Sequence, residues 1–273
     1  MKILISYGDE NYSSVQRLNT FTAKYIAHFD KIFDFHPNDI NDSFRQEHES
    51  IFRFKRGNGL WLWKPYFINQ IINRINDGDI LFYCDAGCFF IREPKYIYDS
   101  LSEESPVFVC DIPLIEANWT KKECFDKLGC NEEKYKKTNQ IIATFFALYV
   151  CPKSKKIIAE WLEKCCDFEL LSPVEISEEF GEDKDRFISH REDQSIFSLI
   201  CKKYSIQPHK DFSQRGDDPY SYYIEGCQFK IPNHPNDNYK PCLFLHKSRT
   251  VFSKRFLYRL RRYILNYKQK NNY

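Results

Sequence analysis

The run ILFYCDAGCFF, residues 80–90, ends an apolar stretch on a carboxylate, Asp85. Two residues with almost no side chain follow, Ala86 and Gly87. A carboxylate in that position can hold a divalent cation while a phosphate approaches the backbone closely. It can equally cap a turn at a strand end. Upstream, WLWKP (61–65) sets Lys64 at a helix entry, with Pro65 placed for the first turn. A lysine there can reach a phosphate or ribose, or remain a surface charge while the tryptophans join the core. In HREDQSIFSLI (190–200), Asp193 and Gln194 open a helix. The helix dipole favours an Asp at that end, and the same carboxylate can act in catalysis or accept from sugar hydroxyls. Finally, CLFLHKSR (242–249) delivers His246, Lys247 and Arg249 at the end of an apolar strand. Histidine is a common metal ligand and the two cations suit a diphosphate; a single strand-end histidine is as readily structural.

The elements that must position these groups are legible as alternating patterns. KILISY (2–7) and KIFDF (31–35) read as strands, and 13–29 has helical spacing with Ser13 or Ser14 as its cap. A helix is expected around 44–54. Gly57 and Gly59 bracket Asn58 and signal a turn, after which Phe67, Ile68, Ile71, Ile72 and Ile75 recur at helical spacing. ILFYC (80–84), SPVFVCD (105–111) and 141–150 read as buried strands, 153–166 and 191–204 as helices. Residues 112–139 and 167–189 read as irregular, and strand-like pieces are expected near 221–230 and 242–246. Strands alternating with helices favour an α/β domain with a mainly parallel sheet. In such sheets ligands bind beyond the carboxyl ends of the strands, where Asp85 lies.

Composition limits the alternatives. The 273 residues carry a formal net charge of +2, so bulk charge gives no reason to expect a nucleic-acid partner. Eleven cysteines without CxxC spacing, several in apolar runs, are expected as reduced thiols of a cytoplasmic protein. The start lacks the long apolar core of a secretory signal, and no run approaches the roughly 18 apolar residues of a membrane span.

The order of these motifs resembles that of nucleotide-sugar glycosyltransferases of the GT-A fold. Within that group it looks like the bacterial-type polysaccharide (O-antigen or capsule) enzymes that carry GxGxWLWKP followed by GDILFYxDAG. The matching residues are Gly57, Gly59, Trp61–Pro65 and Gly78–Gly87, with Asp193 and Gln194 matching a later Asp-Gln element. The resemblance spans roughly residues 2–250 and is most specific at 56–87. It implies a single GT-A domain at 1–248 that transfers a hexose from a nucleotide-diphosphate donor, a UDP-sugar foremost, to a glycan or lipid-linked acceptor. It further implies donor contacts from Ser6, Tyr7, Gly8, Lys64, Asp85, Ala86, Gly87, Lys247 and Arg249, and catalysis by Asp193 and Gln194. The implied cofactor is a divalent cation, Mn2+ or Mg2+, on Asp85 and His246. The family's strand-end motif is Asp-x-Asp, whereas here the third position is Gly87. That departure leaves open a metal-free site that neutralises the diphosphate with Lys64, Lys247 and Arg249. It also leaves open a non-catalytic sugar-binding scaffold, and inverting and retaining courses both remain.

Residues 249–273 hold eight Lys or Arg and no acid, with Phe252, Phe256, Leu260 and Ile264 at four-residue spacing. This basic amphipathic tail is expected to touch anionic lipid at the inner face of the membrane or to pack on the domain. A nucleic-acid-binding role for the tail is the weaker alternative, because the excess of basic charge is confined to it and no RNA-binding motif occurs.

Overall fold

The computed structural model describes residues 1–173 and 187–271. Nine strands are described: β1 (Lys2–Tyr7), β2 (Lys31–Phe35), β3 (Ile80–Cys84), β4 (Cys88–Phe90), β5 (Val107–Phe108), β6 (Asp111–Ile115), β7 (Asn139–Ile141), β8 (Phe145–Tyr149) and β9 (Leu243–Leu245). Five form the central sheet in the order β2-β1-β3-β8-β5. β1 pairs in parallel with β2 and β3, while β8 runs antiparallel to both β3 and β5. Four strands therefore point one way and β8 opposes them, so the sheet is mostly parallel. β4 pairs with β9 and β6 with β7 in two small antiparallel sheets.

The central strands read as unbroken apolar runs because both of their faces are covered. Side-chain alternation assigns each residue to a face. Ile3, Ile5, Leu81, Tyr83, Phe146 and Leu148 enter one core cluster, with Trp161 of the Pro152–Cys166 helix and Phe197 of the Glu192–Lys203 helix. Leu4, Phe82, Cys84, Phe145 and Ala147 enter the other, with Ala23 of the Ser13–Tyr25 helix and with Leu243 and Leu245 of β9. Nine of the eleven cysteines are buried and none is bonded to another.

Several expectations are corrected. The first helix is entered through a 3-10 turn at Glu10–Tyr12 whose cap is Asp9, which accepts from the Asn11 and Tyr12 amides, rather than through Ser13 or Ser14. The helix expected around 44–54 is two short ones, Asp42–Glu47 and Glu49–Phe52. The apolar run 141–150 is two strands in different sheets, separated at 142–144. Residues 112–139 are largely structured, containing most of β6 and three short helices. Near 221–230 no strand is described: a 3-10 turn, Pro219–Tyr222, reaches into the segment and Phe229 makes an isolated bridge to Leu114; β4 had no sequence signal of its own. Part of the acidic stretch 167–189 lies outside the described residues; Phe168–Leu171 within it is helical.

The tail also differs from its pattern. Phe256 and, partly, Leu260 and Tyr263 pack on Phe89 and Phe244, so one face of the Lys254–Asn271 helix rests on the domain. Phe252, at 84% exposure, stands outside that face.

A buried carboxylate fastens the middle of the chain to the Glu192–Lys203 helix. Glu116, fully buried, accepts from Thr120, from Gln140 Nε2 at 3.1 Å, from Ser198 Oγ and from Lys202 Nζ. Removing one partner of a buried ion pair strands the other. Lys202→Met is expected to cost about 3–5 kcal/mol in urea unfolding, and Glu116→Gln in the same background to restore part of the loss. Equal stability of Lys202→Met and the wild type would show that Glu116 is satisfied by its neutral donors alone.

Candidate functional site

The carboxyl ends of β1 and β3 open into a cleft of about 730 Å³. β3 delivers Asp85, whose amide is fixed on the Thr144 carbonyl at 2.8 Å, at the break between β7 and β8. The Trp63–Ile72 helix delivers Lys64, which is 4% exposed and is no surface charge. Its Nζ lies 2.9 Å from Asp193 Oδ2, 3.5 Å from Asp85 Oδ1 and 3.2 Å from the Ala143 carbonyl. Asp193 arrives on the first turn of the Glu192–Lys203 helix and is itself buried. One ammonium thus joins three elements.

The electrostatics follow from burial. Desolvation would lower the Lys64 pKa, but Asp193 and Asp85 outweigh it and the net shift is upward, so the lysine stays charged. Burial pushes the Asp193 carboxyl up to about 6, with Lys64 pulling against it. Tyr83, raised well above its ordinary value by burial and by Asp85, is a neutral hydroxyl that donates to Asp85 Oδ1 at 2.5 Å. Lys247 is open to solvent, yet the crowding cleft walls and then Arg215 and Arg191 lower it to about 8.

A second wall has unusual backbone. Gly57, Asn58, Gly59, Leu60 and Trp61 all have φ between +50° and +89°. Leu60 N donates to Arg56 O at 2.9 Å and Trp61 N to Gly57 O at 3.1 Å, which closes a left-handed helical turn. A side chain at Gly57 would meet the Trp61 ring at 2.4 Å, so glycine is required there by space as well as by φ. The turn is pinned by Trp63 Nε1 on Gly57 O (2.8 Å), by Asn58 Nδ2 on Asp9 Oδ2 (3.1 Å) and by Arg56 Nε on Glu192 Oε1 (2.7 Å).

The residues expected from sequence are only partly brought together. Tyr7, Gly8, Asp85, Ala86, Gly87, Lys247 and Arg249 line the cleft. Lys64 and Asp193 lie behind Asp85, linked to it by charge. Gly87 O accepts from the amides of His246 and Lys247, at 3.0 and 3.3 Å, which sets the DAG and HKSR motifs side by side. Ser6 is fully buried with an unpartnered Oγ and is not among the lining residues. Gln194 is also behind the wall: its Oε1 accepts from Ala143 N and its Nε2 donates to Gln140. Sequence reasoning missed Asp9, Lys55, Arg56 and Thr144 in the lining, and Tyr83 and Glu192 behind it. An acid two residues past β1 was the available signal for Asp9; the others depend on long-range pairing.

The donor set limits what metal could be held. Both polar contacts of the Asp85 carboxylate among the described residues fall on Oδ1, leaving Oδ2 open. His246 is buried against Phe89 and Phe256, accepts from Ser248 N at 3.0 Å through Nδ1, and has an unpartnered Nε2. Burial, followed by Arg259, lowers it to about 4, so its ring is neutral at neutral pH. Among the described residues no three His, Cys, Asp or Glu side chains converge. The set fits a cation held by one carboxylate together with substrate phosphates, as magnesium often is, and does not fit a site built from protein ligands alone.

No protein-family model matches this chain, and no curated protein matches it. Solved structures do. Mouse xyloside xylosyltransferase 1, in its apo form, is similar with a TM-score of 0.50 at 10% identity, over 92% of this chain and 99% of that one. The galactosyltransferase LgtC, solved with donor and acceptor sugar analogs, gives 0.47 at 12% identity, over 91% and 87%. The glycosyltransferase GlyE of Streptococcus pneumoniae TIGR4 gives 0.46 at 11% identity, over 93% and 56%. At 10% identity the likeness to the xylosyltransferase shows the fold alone, the GT-A fold.

Lys64→Met removes the cation that Asp193 and Asp85 share. The Asp193 pKa then rises further above its unfolded value, and a carboxyl with a raised folded pKa loses stability as pH climbs through that pKa. The variant is expected to lose about 3–5 kcal/mol at pH 8 and clearly less at pH 5. Denaturant titrations at the two pH values check this; an equal loss at both would mean that Asp193 does not respond to Lys64.

Proposed function

We propose, from the GT-A fold as premise, that this chain is a glycosyltransferase. It moves a hexose from a nucleoside-diphosphate donor of the UDP class to a glycan or lipid-linked acceptor in surface polysaccharide synthesis. The observation that carries this reading is the Asp85–Lys64–Asp193 charge chain at a cleft beyond the carboxyl ends of β1 and β3.

In this reading the nucleoside lies along Tyr7 and Gly8, with Ser6 supporting that strand end from behind. The diphosphate lies over Ala86 and Gly87, between Asp85 on one side and Lys247 and Arg249 on the other. As the anomeric carbon–oxygen bond breaks, negative charge grows on the leaving diphosphate, and the two cations stabilise it in place. A divalent cation, Mn2+ or Mg2+, would add to that neutralisation when bound with the donor. Asp85 would hold it; His246, whose Nδ1 accepts from Ser248 N so that its neutral ring carries the proton on Nε2, would serve as a second ligand only in the other tautomer, with that hydrogen bond given up. In an inverting course Asp193 is the base, and because it stands buried behind Asp85 the acceptor proton would have to reach it by way of Asp85. In a retaining course the Asp193–Gln194 turn acts on the sugar through Asp85 and the cleft wall that it supports, not by direct contact. Gln194, held at both ends of its amide, keeps that turn fixed. The Lys254–Asn271 helix leaves Leu257 (55% exposed) and Leu265 (52%) outward beside the exposed Arg261 and Arg262, which supports peripheral contact with anionic membrane. No described helix is long and apolar enough to cross a membrane.

Thermal unfolding against UDP-, GDP-, CMP- and dTDP-sugars, with Mn2+, Mg2+ or chelator, tests the donor. A UDP-sugar is expected to stabilise the wild type and not Asp85→Ala. Stabilisation that survives chelation would assign the diphosphate to Lys247 and Arg249; no shift with any donor in folded protein would sink the enzyme reading. Binding without turnover would favour the scaffold reading, which the Gly87 in place of a second carboxylate supports.

A base must be ionised to act, so transfer is expected to rise with pH through about 6 and then level off, following Asp193. Asp193→Asn should remove that limb together with roughly a hundredfold or more of the rate. A rate limb near pH 6 that persists in the variant would assign it to another group.

A further inference from the structure

The left-handed turn Gly57–Trp61 carries strain. Three of its residues, Asn58, Leu60 and Trp61, carry a Cβ in a left-handed conformation that L-residues rarely adopt. Glu192, which pairs with Arg56 just before the turn, is also at positive φ, +39°. Backbone strain of this kind persists where the surroundings over-determine it, and it collects at ligand clamps. What the turn accomplishes here is placement. Of the four tryptophans, Trp61 and Trp63 line the cleft; Trp63, like Trp119 and Trp161, is at most 5% exposed, whereas Trp61 is half-buried and offers ring surface to the cleft. The Arg56 guanidinium lies 5.4 Å from the Trp61 ring centre, and Lys55 lines the same wall.

These two cations are surplus to the diphosphate, which Lys247 and Arg249 already serve from a different segment. Arg56 is also not used up by its partner. Glu192 takes Nε and one Nη2 hydrogen, which leaves three of the five guanidinium donors, on a side chain 56% exposed. An aromatic ring beside a planar cation and a lysine suits a ligand with an apolar ring face and a carboxylate on the same ring. Arginine matches that carboxylate with its fork of donors.

We propose that Lys55, Arg56 and Trp61 form a subsite for a carboxylated pyranose, a uronic acid residue of the acceptor glycan. This rests on the reading of the cleft as a site of glycosyl transfer. The internal Glu192 carboxylate then acts as a stand-in that holds the guanidinium in position and tempers its affinity.

Intrinsic tryptophan fluorescence of the full chain, titrated with methyl β-D-glucuronide and methyl β-D-glucoside at low salt, tests the subsite. The glucuronide is expected to give a saturable change with a dissociation constant at least tenfold below that of the glucoside. Lys55→Gln should weaken it several-fold. Trp61→Phe should abolish the optical signal and weaken binding measured by ligand NMR line broadening. Arg56→Gln alone would strand the buried Glu192, so the informative variant is Arg56→Gln with Glu192→Gln, which should abolish the preference for the acid. Glu192→Gln by itself releases the guanidinium and should tighten the glucuronide several-fold, a gain that a purely structural Arg56–Glu192 pair would not produce. Equal affinity for the two sugars overturns the subsite, as does no response to either while a nucleotide-sugar still binds; both outcomes leave the enzyme reading standing. Saturable glucuronide binding with no nucleotide-sugar binding keeps the subsite and sinks the enzyme reading.

Discussion

A single buried ammonium organises this molecule. Lys64 cannot stay charged at 4% exposure unless its partners come to it, because desolvating an unpaired cation costs several kcal/mol. Asp193, Asp85 and the Ala143 carbonyl answer that demand. Meeting it fixes the entry of the Trp63–Ile72 helix, the first turn of the Glu192–Lys203 helix, the end of β3 and the break between β7 and β8. The break is where regular pairing stops, and the Ala143 and Thr144 carbonyls that it frees take Lys64 and the Asp85 amide.

A second ion pair runs beside the first. Arg56–Glu192 connects the strained left-handed turn to the residue just before Asp193. The wall of the cleft and its charged floor are therefore coupled through two adjacent residues of one helix start. Gln194, the next residue, is tied to Ala143 and Gln140, and Gln140 in turn reaches the buried Glu116. Polar networks of this kind hold a unique arrangement because each member left unsatisfied would be costly. The apolar clusters on the two faces of the sheet supply the mass of the core; the polar network sets where the cleft's side chains stand.

The two small sheets complete the arrangement. β4 follows directly from the DAG segment and pairs with β9, which carries Lys247 and Arg249 to the same cleft edge and leaves His246 buried beside them. Motifs about 160 residues apart meet because Gly87 accepts the amides at 246 and 247. The C-terminal helix then closes over β4 and β9 through Phe256, which also covers the His246 ring.

Local chemistry determined much of this from sequence alone. Apolar periodicity located β1, β3 and the helices that begin near Trp63, Pro152 and Glu192, since burial on one face repeats at the period of the element. The short side chains after Asp85, the Lys-Pro entry and the Asp-Gln helix start marked residues that the structure gathers at or just behind one cleft. Tertiary structure decided what pairing across the chain controls. The antiparallel β8, the splitting of 141–150 and the existence of β4 depend on partners that no local window contains. The sign of φ at Asn58, Leu60 and Trp61 is not written in those residues, because only packing and hydrogen bonds can hold an L-residue there. Burial of Lys64 and the turning of His246 toward phenylalanines have the same origin: a side chain's charge and shape are local properties, but its solvent is chosen by the whole fold.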